Sequence, residues 1–190
     1  KGENKHEGLS MIFGPVGNEG MEMTPIDTLG GNETNTVYLN DCEVPAESVL
    51  GEVDHGWTQL MAGLNVERLI LSAIQLGVAE RAFDDTLAYV KDRKQFGRPI
   101  GSFQALQHRI ADLATELEAA KLMTYWVASL VDEDQDRMLP KEASMVKLFV
   151  TELAKKVTLE GMQMMGGYGY SSEYDMERLV RATLVSTIYG

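Results

Sequence analysis

Residues 102–130 read SFQALQHRIADLATELEAAKLMTYWVASL. Leu106, Ile110, Leu113, Leu117, Ala120, Val127 and Leu130 recur at three- and four-residue steps, which puts them on one face of an α-helix beginning near Ser102. The same period extends to either side. Toward the C-terminus a helix starts after Pro140, carries Val146, Phe149, Val150, Leu153 and Val157, and runs out at Gly166-Gly167. A shorter one follows over about Glu173–Val185. Toward the N-terminus a long helix is expected from about Gly56 to Lys94, with a break or kink near Gly63 or Gly77, ending in the turn Phe96-Gly97-Arg98-Pro99. Long helices joined by short connections imply an antiparallel four-helix bundle over residues 56–190. Residues 1–55 differ. Short apolar runs, Leu9–Phe13 and Thr36–Leu39, alternate there with Gly14-Pro15 and Leu29-Gly30-Gly31-Asn32, which are strand and turn signals. Two or three strands cannot cover both of their faces, so this part reads as the last strands of a truncated β domain. The fold class is mainly α.

Composition narrows the function classes. An apolar content of 44% supports a packed core rather than disorder. The 29 acidic and 17 basic residues give a net charge of −12, which argues against nucleic acid and anionic membrane as partners. The imbalance is uneven: Lys91, Arg93, Lys94, Arg98 and Arg109 face only Asp92 between positions 91 and 109, a local +4 suited to an anionic small ligand. Cys42 is the single cysteine, so there is no internal disulfide and no zinc pattern, and no metal site is expected. No apolar run is long enough for a membrane span, and Lys1–Ser10 lacks the apolar core of a signal peptide. A reducing compartment fits: the cytoplasm, or the mitochondrial matrix in a eukaryote. Lacking an initial Met and stopping after an apolar run, the chain reads as a fragment.

Three polar stretches do not fit a plain bundle. In the first, Asn65-Val66-Glu67-Arg68, an acid interrupts a mostly apolar segment. The ordinary reading is a surface acid or a salt-bridge partner. The functional one is a general base whose pocket would raise its pKa toward neutrality. In the second, Arg93-Lys94-Gln95-Phe96-Gly97-Arg98 leads to Phe103-Gln104. Cations at a helix C-terminus need no function, yet a charged pair, an amide, a ring and glycines together suit a pyrophosphate and an aromatic ring system. The third is Gln163-Met164-Met165-Gly166-Gly167-Tyr168-Gly169-Tyr170. Taken alone it is a helix stop and chain reversal, and with no strand before it a Rossmann reading fails.

In order and spacing, Arg-x-Gln-Phe-Gly, then Phe-Gln, then Met-Gly-Gly-x-Gly resemble the acyl-CoA dehydrogenase family. The likeness continues through Val44–Glu52 and the closing Thr187-Ile188-Tyr189-Gly190. The resemblance implies the end of the middle β domain at 1–55 and the C-terminal helical bundle at 56–190. It implies FAD, touched by Arg93 and Gln104 with Lys94, Gln95, Phe96 and Phe103 nearby, and by Gln163, Met164, Met165, Gly166 and Gly167 from a neighbouring subunit. Many members carry the catalytic Glu directly after the final Ile-Tyr, where this chain has Gly190. An isovaleryl-type or long-chain-type subgroup places it in the first bundle helix just before an Arg, and Glu67-Arg68 matches that arrangement. Asn65, Val66, Arg68, Tyr189 and Gly190 then flank Glu67 on the substrate side. The chain departs from the family pattern at Ala182 and Asn65, where Asp is common.

The reaction so implied is removal of an acyl-CoA α-proton by Glu67 with loss of a β-hydride to the flavin, giving a trans-2-enoyl-CoA, as in fatty acid β-oxidation. Electrons pass to an electron-transfer flavoprotein, and the assembly is a homo-oligomer, dimer or tetramer. The alternatives are a related flavin oxidase using O2 and a non-catalytic helical bundle that serves oligomerisation.

Overall fold

A computed structural model describes residues 6–134 and 138–189, the side chains of Asn32 and Asn65 excepted. It divides into two compact units, 1–64 and 65–190, with the boundary inside the first long helix.

In the first unit, β1 (Met11–Ile12) pairs antiparallel with β4 (Val49–Leu50), and β2 (Met21–Thr28) pairs antiparallel with β3 (Gly31–Leu39). β3 extends the expected 36–39 run, and β2 had no expectation behind it. Its Pro25, opposite Asn35, explains why: proline removes a ladder donor and argues against a central strand. In a two-stranded ribbon each strand is an edge, so Pro25 costs no bond on its outer side.

Helix α1 (Gly56–Asp92) is continuous over 37 residues. The expected break at Gly63 or Gly77 does not occur. A glycine in a helix costs about 1 kcal/mol but removes no hydrogen bond, unlike proline; at Gly77 the buried flanking residues Gln75, Leu76 and Ala79 offset that cost, whereas the turns around Gly63 are exposed or half-buried. Ser72, Gln75, Leu76, Ala79, Ala82, Thr86 and Val90 are all buried along one side of this helix.

The second unit contains the later part of α1 with α2 (Gln104–Glu133), α3 (Pro140–Met165), the one-turn α4 (Gly167–Tyr170) and α5 (Met176–Leu184). The stripe read from the sequence forms the core: Leu113, Leu117, Ala120 and Val127 of α2 pack with Val146, Val150, Leu153 and Val157 of α3. Phe149 is a correction. It is 37% exposed, one position off the buried face occupied by Val146 and Val150. Glu80–Lys121 joins α1 to α2, and Glu116–Lys156 with Arg109–Glu160 joins α2 to α3. The partner number falls as the residue number rises, as antiparallel neighbours require. α1 and α3 approach closely at Gly161, where a Cβ would lie 2.5 Å from Thr86 Oγ1. A hydroxyl pair, Thr158 Oγ1 to Thr183 Oγ1 at 2.9 Å, fastens α5 to α3.

Candidate functional site

Two of the three polar stretches meet at one end of the bundle. α1 ends at Asp92, and the Arg93 N–H donates to the Tyr89 carbonyl at 2.8 Å while the Arg93 carbonyl accepts from the Ile100 N–H at 2.8 Å. Between them the chain makes a small antiparallel hairpin, β5 (Lys94–Gln95) with β6 (Arg98–Pro99). Its tip, Phe96 (φ 53°) and Gly97 (φ 80°), is left-handed at both positions, which a two-residue turn of this twist demands. Asn-Gly is the usual choice, and here a phenylalanine takes the first place against its steric preference. The Phe96 ring is 91% exposed and edge-on to Phe103, and the Arg98 guanidinium lies 4.1 Å from the Phe103 ring centre.

At the C-terminal end of α3, Gly166 adopts φ 62°, which a side chain would resist. Gly169 is held by packing, since a Cβ there would sit 2.7 Å from the Met162 carbonyl oxygen. Gly167 has neither reason. Its φ is ordinary and a Cβ would meet nothing within 4 Å, so its bare backbone leaves room for a group from outside.

A cavity of about 550 Å3 lies between these segments. Arg93, Gln95 and Ile100 line it from the hairpin side, Met164, Met165, Gly166 and Gly167 from the glycine turn, and Tyr89, Tyr168, Ser171 and Glu173 complete the wall. Tyr168 enters the sequence reading only as part of the glycine turn and Glu173 only as a helix start, neither as a site residue, and Tyr89 does not enter it. Tyr89 is one helical turn before Arg93, and Tyr168 stands inside the glycine turn, so spacing alone offered the clue. Burial pushes the Tyr89 phenol above its ordinary pKa, partly offset by the Arg93 charge, and it stays a neutral donor at physiological pH.

The electrostatics favour an anion. Among the described residues the salt bridges engage Arg81, Arg109, Lys121, Lys155, Lys156, Arg178 and Arg181, and none engages Arg93, Lys94 or Arg98. Arg109, counted in the basic stretch, is neutralised by Glu160. Arg93 instead stands over the Tyr168 ring, 5.4 Å from its centre. Glu173 is the one carboxylate on the cavity wall.

Comparison with known proteins decides the family. Residues 54–190 match the family described as acyl-CoA dehydrogenase, C-terminal domain. The chain belongs to the acyl-CoA dehydrogenase family. It is 41% identical over 185 residues to the caffeyl-CoA reductase–Etf complex subunit CarC of Acetobacterium woodii, covering 96% of this chain and 48% of that protein. It is 39% identical over 187 residues to the mitochondrial short/branched chain specific acyl-CoA dehydrogenase of Bos taurus, covering 97% and 43%. The crystal structure of the acyl-CoA dehydrogenase from Geobacillus kaustophilus superposes with a TM-score of 0.89 at 34% identity, over 97% of this chain and 49% of that one. The chain thus spans about half the length of the curated relatives it matches.

For an acyl-CoA dehydrogenase chain, the predicted residues divide as follows. Arg93, Gln95, Met164, Met165, Gly166 and Gly167 line this cavity together, whereas Lys94, Phe96, Phe103, Gln104 and Gln163 are outside its lining. Gln104 is exposed at the start of α2, and the Gln163 carbonyl caps the glycine turn by accepting from Gly166 N–H. On the substrate side Val66 and Glu67 are exposed on α1, Arg68 is half-buried and Tyr189 is 41% exposed. No hydrogen bond or ion pair among the described residues joins these groups. Gly190 and the Asn65 side chain lie outside the described residues. The burial that would desolvate Glu67 is not supplied by the described part of this chain. Neither does Glu67 have an ion-pair partner there, in contrast to Glu80, Glu116, Glu152, Glu160 and Glu177. Among the described residues no helix is long and apolar enough to cross a membrane, and no cluster of metal-binding side chains occurs.

Proposed function

We propose that the protein catalyses flavin-dependent α,β-dehydrogenation of an acyl-CoA thioester, with Glu67 as the base and a trans-2-enoyl-CoA as the product. The observation that carries the cofactor side is the shared cavity: an arginine without a carboxylate partner faces a glycine turn whose backbone is open at Gly167. These residues fit FAD. Its diphosphate supplies the anion that Arg93 lacks, and a planar guanidinium suits it bidentately. FAD, when bound, supplies the acceptor for the hydride from the β-carbon.

The chain's own residues then have distinct tasks. Arg93 anchors the diphosphate, and Gln95 and the Gly166-Gly167 backbone border it; the shared cavity favours one cofactor for both segments over the expectation that the glycine turn reaches the FAD of a neighbouring subunit. Glu67 takes the proton from the α-carbon, and the electron pair of that Cα–H bond becomes the second Cα–Cβ bond as the β-hydrogen leaves as hydride with its own pair. Thioester α-protons are weakly acidic, so hydrogen bonds to the thioester carbonyl must stabilise the developing enolate, and the family resemblance assigns them to the flavin ribityl and a backbone N–H near Gly190. Because that donor belongs to the backbone, the missing side chain at position 190 does not remove it. An Arg68 beside Glu67 and the absence of a carboxylate at 190 favour the first-helix placement of the base.

Electrons are proposed to pass to an electron-transfer flavoprotein, since the relative CarC is named as a subunit of a complex with Etf. The proposed assembly is a homo-oligomer, dimer or tetramer. Stopped-flow reoxidation of the substrate-reduced full-length protein separates the electron acceptors. The expected result is slow reoxidation in air and fast reoxidation by an electron-transfer flavoprotein. Fast reaction with O2 alone would assign the protein to the oxidases instead.

A further inference from the structure

Arg93 carries the proposed diphosphate contact, yet it is an exposed side chain with no carboxylate to hold it. A free arginine has four flexible bonds, and fixing them on a ligand costs binding energy each time. The cavity wall contains a device that removes this cost. The guanidinium stands 5.4 Å from the centre of the Tyr168 ring, within cation–π range. Tyr168 is itself braced: its ring meets Tyr174 edge-on at 5.8 Å and Tyr89 at 6.3 Å, and Tyr89 meets Tyr174 edge-on at 5.9 Å. Such tilted and edge-on pairs at these separations are favourable arrangements for rings. The trio draws on α1, α4 and the segment before α5, so it also ties the glycine turn to the helix that carries Arg93.

We infer that Tyr168 is a positioning residue, whose ring, braced by Tyr89 and Tyr174, holds the Arg93 guanidinium at the cavity ready to receive a dinucleotide diphosphate. This rests on the cofactor site proposed above and adds a residue to it. The hydroxyl of Tyr168 is not required, because the ring face does the work. A leucine offers similar apolar contact without the negative ring face, so it loses the hold on the cation.

The test is FAD affinity, measured by titrating the full-length apoprotein with FAD and following flavin fluorescence, alongside thermal unfolding of each variant without flavin. Tyr168→Leu is expected to weaken FAD binding about three- to tenfold. Tyr168→Phe is expected to stay within about twofold of the parent, a change near the lower edge of such interactions. In an Arg93→Ala background, Tyr168→Leu is expected to have no further effect, since nothing remains to position. Tyr168→Gln, which suits an exposed site, takes the place of the leucine variant if the latter does not fold. Equal weakening with and without Arg93, no weakening at all, or a phenylalanine variant as poor as the leucine would each overturn the inference while leaving the cofactor site standing. Unchanged FAD affinity in Arg93→Ala alone would overturn the cofactor site and this inference with it.

Discussion

Glu67→Gln in the full-length protein is expected to keep FAD, bind acyl-CoA and slow flavin reduction by substrate at least about a hundredfold, the lower bound for loss of a general base. The substitution keeps the size and hydrogen-bonding reach of the side chain and removes its basicity. Among the described residues Glu67 holds no salt bridge and is exposed, so the melting temperature should stay close to that of the parent. The competing reading, a charge that stabilises the fold through Arg68 or another cation, predicts the reverse: a lower melting temperature with near-normal reduction. A relocated base gives a further check. Glu67→Gly combined with Gly190→Glu puts the carboxylate where many family members have it, and partial recovery of reduction is expected if both positions address the same α-carbon. Normal reduction rates in Glu67→Gln would remove Glu67 from the mechanism.

The second large effect is on the cofactor. Arg93→Ala is expected to yield flavin-depleted protein, with FAD affinity lowered on the order of a hundredfold or more if two charge-assisted hydrogen bonds at about 1.5–3 kcal/mol each are lost. Arg93 is exposed, so the loss should shrink as ionic strength rises. Arg93→Lys keeps the charge and forfeits the fork, and an intermediate affinity is expected. Gel-filtered protein, scored for its ratio of flavin to protein absorbance, measures both. A full flavin complement in Arg93→Ala would place the diphosphate elsewhere.

How far the sequence anticipates this arrangement depends on how local each feature is. The stripe on α2 and the stop at Gly166 are set by residues a turn apart, and both are legible. The strand β2 is not, because its exposed residues show no buried face and Pro25 argues against it. The unbroken α1 shows packing overruling a local preference at Gly77, where Gln75, Leu76 and Ala79 are buried. Motif spacing identifies Arg93 and Gly166-Gly167, but nothing local says that they share a cavity, since the bundle brings together positions more than 70 residues apart. Tyr89 and Tyr174 are invisible for the same reason, and Tyr168 is legible only as part of the glycine turn. The net charge of 91–109 is misleading in one respect, as Glu160 from α3 cancels Arg109. On the substrate side, the sequence names Glu67 by its motif, whereas the described residues leave that carboxylate exposed.

This acyl-CoA dehydrogenase family member is proposed to take two hydrogens from the α,β bond of an acyl-CoA. The most direct test is anaerobic mixing of the flavin-loaded full-length protein with a series of saturated acyl-CoAs of different length and branching, followed by flavin absorbance and mass spectrometry of the thioester. The expected result is bleaching of the oxidised flavin by at least one of them, with a trans-2-enoyl-CoA formed in equal amount to the flavin reduced. A flavin that every acyl-CoA in the series leaves oxidised, while dithionite reduces it normally, would contradict the claim.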